Sequence, residues 1–170
     1  MSELAPQGPA LSAEEMLVWN DRTAQTWRKL VEEHPEVLAV PCDIFGVSSV
    51  GQLLHHIVAV ETRYAQRLAG ATETPFDAIP YTSAAEIFDA HDAAMQMIRA
   101  ELAKGGDWDR KFEFQTLTMG LARASRKTVF FHALVHSVRH YAQLATLVRQ
   151  HGFKTSFPMD YLAMGIEKVG

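Results

Sequence analysis

Eight histidines in 170 residues are the side chains of this sequence best suited to chemistry, and five of them fall in two segments. One is His132-Ala-Leu-Val-His136-Ser-Val-Arg-His140; the other is the pair His55-His56. Residues four apart on a helix lie one turn apart on one face, so two adjacent imidazoles of the first segment can share a metal ion. At 1.5 Å per residue, His132 and His140 are about 12 Å apart along the axis. All three therefore cannot bind one ion, and the workable site is one adjacent pair plus a ligand from another helix. Imidazole suits zinc, nickel, copper and iron alike, so spacing leaves the metal open. The same spacing also occurs among surface histidines that bind nothing.

Helical phasing at 100° per residue sharpens the picture. Phe130, Leu134, Val138, Tyr141, Ala145 and Val148 form one apolar arc, and the histidine stripe, continued by Gln143 and Leu147, points away from it. Around the other pair, Leu53, Leu54, Ile57, Val58, Tyr64, Ala65 and Leu68 define a core face, with His56 at its margin and His55 turned toward solvent. An ion between His56 and the later histidines would occupy a groove at the edge of the core. Three protein ligands leave coordination positions for water, which describes an open site rather than a closed structural one. Glu61 falls near the centre of the same core face, where an unpaired carboxylate is costly. It needs a Tyr, Trp or His partner from a neighbouring helix, or it orients a ligand histidine. His34, His91 and His151 read as ordinary surface residues, and Trp19 and Trp27 as packing residues. Cys42 follows a proline and has no neighbouring base in sequence, so it reads as an inert thiol. HExxH, ExxH, GxSxG, P-loop and GxGxxG motifs are absent.

The elements that must carry these residues are marked by caps. Ser12/Glu15, Ser49/Gln52 and Ser83/Glu86 each have the Ser-x-x-Glu/Gln pattern that satisfies two orphan amides at a helix start. They predict helices from Ser12 to about His34, where Pro35 intervenes, from Ser49 to Ala69 before Gly70, and from Ser83 to about Lys104 before Gly105-Gly106. A fourth runs from near Ser125 to Gln150 or His151. Residues 111–118 alternate apolar and polar side chains ahead of Met119-Gly120, which predicts a short hairpin. Asp160 can cap a short terminal helix through Lys168. The fold class is therefore all-α: a four-helix bundle within a single domain, 1–170, whose first residues, 1–11, are a flexible stretch.

Composition excludes several other functions. With 16 Lys+Arg against 20 Asp+Glu, a net charge of −4 and a pI near 6.0, the basic surface expected of a nucleic-acid binder is missing. No apolar run approaches the roughly 20 residues of a membrane span, and the first residues lack a signal-peptide pattern. One cysteine cannot form an intrachain disulfide or a Cys-rich zinc site, which suits a reducing compartment and a cytoplasmic location.

Two motifs together resemble the DinB family of small metal-binding four-helix-bundle proteins: Leu53-Leu-His-His56-Ile-Val-Ala-Val-Glu61, and His136-Ser-Val-Arg-His140-Tyr-Ala-Gln143. The family pattern is a histidine before an aliphatic residue on the second helix, an acidic residue further on, and H-x3-H-R-G-Q late in the chain. The resemblance spans about residues 12 to 152 and implies a DinB-type bundle. It also implies His56, His136 and His140 as metal ligands, His55 as the fallback, and Gln143 as the family's glutamine. Glu61 and Gln143 would support the ligands, and His132 would not be one. Tyr141-Ala142 stands where the family usually has Arg-Gly, so an anion contact made by that arginine in relatives does not carry over. The resemblance further implies a divalent ion, commonly nickel or zinc, and in some members a low-molecular-weight thiol activated for transfer or isomerisation. Catalytic residues are not assigned. The expected partners are a small-molecule substrate and at most a second copy in a homodimer, with neither nucleic acid nor membrane. The competing reading is a non-enzymatic helical module for binding or dimerisation, metal-stabilised or metal-free.

Overall fold

A computed structural model describes residues 9–116, 118–155, 159–167 and 169. The expected flexible start lies largely outside the described residues, as does Lys168, the expected end of the terminal helix. Four helices make the bundle: α1 (Ala13–Glu33), α2 (Val50–Ala69), α3 (Ala84–Lys104) and α4 (Arg126–Gln150). Two strands, β1 (Lys111–Gln115) and β2 (Leu121–Ser125), pair antiparallel as a hairpin between α3 and α4. The terminal helix is shorter than expected, a single 3₁₀ turn over Tyr161–Met164 in which Asp160 makes no side-chain cap. Without that cap the orphan amides of a longer helix would go unmet.

The caps work with one variation. Ser12 and Glu15 form the full reciprocal box, at 3.1 and 2.7 Å. At α2 the Ser49 hydroxyl accepts from the Gln52 amide, but the Gln52 side chain reaches one residue further back, to the Ser48 amide and hydroxyl. Glu86 does the same at α3, where its carboxylate accepts from the Thr82 amide and hydroxyl. α2 ends where Gly70 enters the left-handed region at φ 68°, a conformation glycine adopts without penalty.

The core has two apolar halves. One gathers Trp27, Leu54, Ile57, Phe88, Tyr141 and Leu144 around α2; the other gathers Met16, Leu17, Met95, Ile98, Phe130 and Leu134. Each fully buried aliphatic or aromatic side chain contributes about 1.5–3 kcal/mol. Between the halves, one polar residue from every helix is buried: Asn20, Glu61, His91 and Ser137. Tyr141 belongs to this interior. Its ring stacks on Trp27 at 5.9 Å, and burial pushes its hydroxyl pKa well up, reinforced by Glu61 and Asp21. No helix among the described residues is long and apolar enough to cross a membrane.

Candidate metal centre

α2 and α4 pack against each other, and their contact brings His56 to His136 and His140. One ring nitrogen from each can be chosen so that all three lie within 4.8 Å of one another. The Nε2 atoms of His56 and His136 are 3.0 Å apart. A tetrahedral ion held at 2.0–2.1 Å needs its nitrogens about 3.3 Å apart, so small side-chain adjustments suffice. Gln143 Oε1 lies 2.7 Å from His140 Nδ1. The amide oxygen is an acceptor, so Nδ1 carries the proton and Nε2 keeps its lone pair.

The three imidazoles are more deeply placed than helical phasing predicted. His132 and Gln143 are exposed, but His136 is 7% exposed and His140 2%, so this part of the α4 stripe is buried rather than turned away from the core. Two aromatic side chains from the long connections roof it. Phe45 stands 4.5 Å from the His56 ring and 5.9 Å from that of His140, and Phe76 stands 5.9 Å from His56. Phe45 is the one described residue other than glycine with positive φ, at 57°, and it is 58% exposed. A bulky side chain held in that strained region is a feature that clusters at functional sites. Phasing a helix cannot reveal a cover supplied by loops.

Burial also sets the charge. It pushes the His56 pKa down to about 4, with further depression from His140, His55 and Arg139. It pushes His136 down to about 2, helped by the neighbouring imidazoles and Arg139. His140 is lowered by burial and by Arg139 against the opposing bond to Gln143. At neutral pH the three rings are uncharged donors with lone pairs, the form that binds a cation. His136 Nδ1 is buried with no hydrogen-bond partner among the described residues.

Other candidates fall elsewhere. His55 is 7% exposed, not turned to solvent: its Nε2 donates to the Phe76 carbonyl at 3.0 Å and its ring stacks on Tyr81 at 4.4 Å. It anchors the connection after α2. His132 is exposed and lines a cleft of about 210 Å³ that opens beside His56 and His136. Glu61 is fully buried, and its hydrogen bonds come from Asn20 Nδ2 at 2.8 Å, Ser137 Oγ at 2.7 Å and His91 Nδ1 at 2.7 Å. The histidine partner expected of it is His91; the ligand-supporting role expected of it is not seen in these bonds, which reach none of the three imidazoles. His91, expected at the surface, is 0% exposed and donates its other nitrogen to Asp21 at 3.0 Å. Burial opposes its charge, but Glu61 and Asp21 raise its pKa to about 10. A signal for this was present in the sequence, because His91 lies three and four residues from Phe88 and Ile87 and from Ala94 and Met95, on the apolar face of α3. Arg139 and Phe45 carried no comparable signal.

A family model described as the DinB superfamily matches residues 20–144. The comparison with curated proteins found no match.

Proposed function

The chain belongs to the DinB superfamily, and from that membership we propose that it binds one divalent ion, zinc or nickel, through His56, His136 and His140, and acts as a metal-dependent enzyme on a small molecule in the adjacent cleft. The observation that carries this reading is the convergence of three buried, uncharged imidazoles from two helices. When bound, the ion supplies Lewis acidity that lowers the pKa of a coordinated thiol or water, giving a nucleophile at neutral pH.

The chain's own residues do the remaining work. Gln143 holds the His140 ring with Nε2 directed away from its own bond. Phe45 and Phe76 limit water on one side of the imidazoles, and a lower local dielectric strengthens every charge interaction made there. The cleft that these two rings help to wall is also lined by Val60, Tyr64 and Met119, with three arginines, a mixture suited to a small ligand with apolar and polar parts. A low-molecular-weight thiol is the co-substrate this reading favours, for transfer or isomerisation, with hydrolysis by activated water as the alternative reaction.

Dialysis against zinc or nickel followed by metal analysis tests the site. Wild-type protein is expected to retain one ion per chain, and the His136→Ala/His140→Ala double variant to retain none. One-to-one metal in the double variant would refute the ligand set. Accelerated conjugation of a thiol to an electrophile by the metal-loaded wild type, lost in the double variant, supports the enzyme; stoichiometric metal without any acceleration points to a binding module.

A further inference from the structure

Arg139 stands apart from the other arginines of the cleft. Arg63 and Arg67 share Glu73, at 2.7 and 2.5 Å, and Arg67 is further held between the rings of Tyr64 and Phe114, at 4.6 and 4.7 Å. Arg139 has no carboxylate within 4.0 Å among the described residues. Its guanidinium instead donates to His140 Nε2 at 3.2 Å, the nitrogen that Gln143 leaves with a lone pair. One lone pair serves one acceptor bond: it accepts from Arg139 or it ligates a cation. A metal ligated there would displace the guanidinium and leave two like charges beside one another. With one carboxylate against three guanidiniums, the cleft carries excess positive charge. Its walls include the apolar rings of Phe45 and Phe76.

We propose that this cleft takes a small carboxylate with an apolar body, that Arg139 is the residue that recognises the carboxylate, and that ion and carboxylate bind cooperatively because the first frees the guanidinium for the second. A guanidinium fork matches a carboxylate in two parallel hydrogen bonds, and the bound anion offsets the repulsion between guanidinium and metal. The coupling is reciprocal, so the carboxylate tightens metal binding by the factor that metal tightens the carboxylate. The inference rests on the metal reading for the ion, but the cleft and its unpaired arginine stand on their own geometry.

Titration calorimetry with 3-phenylpropionate, and with 3-phenylpropanamide as the uncharged control, tests it. Zinc-loaded wild type is expected to bind the carboxylate at least about tenfold more tightly than the amide, and removal of zinc to weaken carboxylate binding at least about fivefold. Arg139→Gln, loaded with one zinc, is expected to weaken carboxylate binding by a similar factor and to abolish the effect of the carboxylate on zinc affinity. Equal carboxylate affinity in zinc-loaded wild type and Arg139→Gln, or no measurable binding to zinc-loaded wild type, overturns the role of Arg139. Equal affinity with and without zinc overturns the coupling. A wild-type protein that takes up no zinc overturns the metal reading instead, and carboxylate binding lost in Arg139→Gln would then still support the anion site.

Discussion

Two groups of buried histidine lie in one bundle and differ in what faces them. His91 sits between Glu61 and Asp21 and holds its proton, with its pKa raised to about 10. His56, His136 and His140 face one another and an arginine, and burial drives His56 and His136 down to about 4 and about 2. Burial works against the imidazolium in both places, so the partner decides the outcome. Where carboxylates answer the ring, the result is an internally satisfied group that welds α1, α2 and α3. Where none does, the result is a set of donors with unused lone pairs. Histidine content alone says nothing about function; the inventory of acids around each ring does.

The largest expected effect would break the first group. His91→Ala leaves the Glu61 carboxylate buried without its cation, and removing one partner of a buried pair costs about 3–5 kcal/mol. Urea denaturation should show that loss, whereas a drop under about 1 kcal/mol would mean that Asn20 and Ser137 suffice for the carboxylate.

A smaller effect sharpens the second group. His56→Ala should weaken zinc binding at least about tenfold, or about 1.4 kcal/mol. His55→Ala, one residue away, should leave zinc affinity within about twofold and instead lower stability by about 1 kcal/mol through the lost bond to Phe76. Calorimetry with zinc and thermal unfolding of both variants make the check, and an inverted order would show that His55 is the ligand.

A pH dependence tests the first group by a separate route. A histidine whose folded-state pKa rises from 6.5 to about 10 adds stability that is complete below pH 6.5 and is lost as pH rises through 10. Asp21 has a lowered folded-state pKa; burial opposes this, but bonds to His91 and Arg99 outweigh it. Its contribution is present above its ordinary value of 3.8 and is lost as pH falls below it. Wild type should therefore lose stability from pH 7 to pH 10 more steeply than His91→Ala in urea titrations. Parallel curves would show that His91 is uncharged at neutral pH.

Local chemistry made much of this legible before any coordinates. Serine caps, proline stops and Gly70 set the helix bounds because each acts on its own backbone neighbours. The motif around His56, and the pair His136 and His140, named the rings that converge. What escaped depended on distant chain segments. The depth of the rings comes from Phe45 and Phe76, which arrive on connections without periodicity. His55 is buried by Tyr81, contributed from 26 positions away. His91 reads as a surface residue by its polar type, but its position between apolar neighbours on α3 buries it. Arg139 could not be singled out, since only the fold reveals that Glu73 pairs with Arg63 and Arg67.

The polar layer across the middle of the bundle also works as an index mark. Apolar helices slide past one another at small cost, because one leucine replaces another at the next turn. A slip of one turn moves α4 by about 5.4 Å along α2. That would carry the Ser137 hydroxyl away from Glu61 and bring Leu134 or Tyr141 toward the carboxylate. The same slip would take His136 out of reach of His56. The Glu61 carboxylate thus rules out the shifted alignments, and the three rings meet where they do because an acid that touches none of them fixes the offset between their helices.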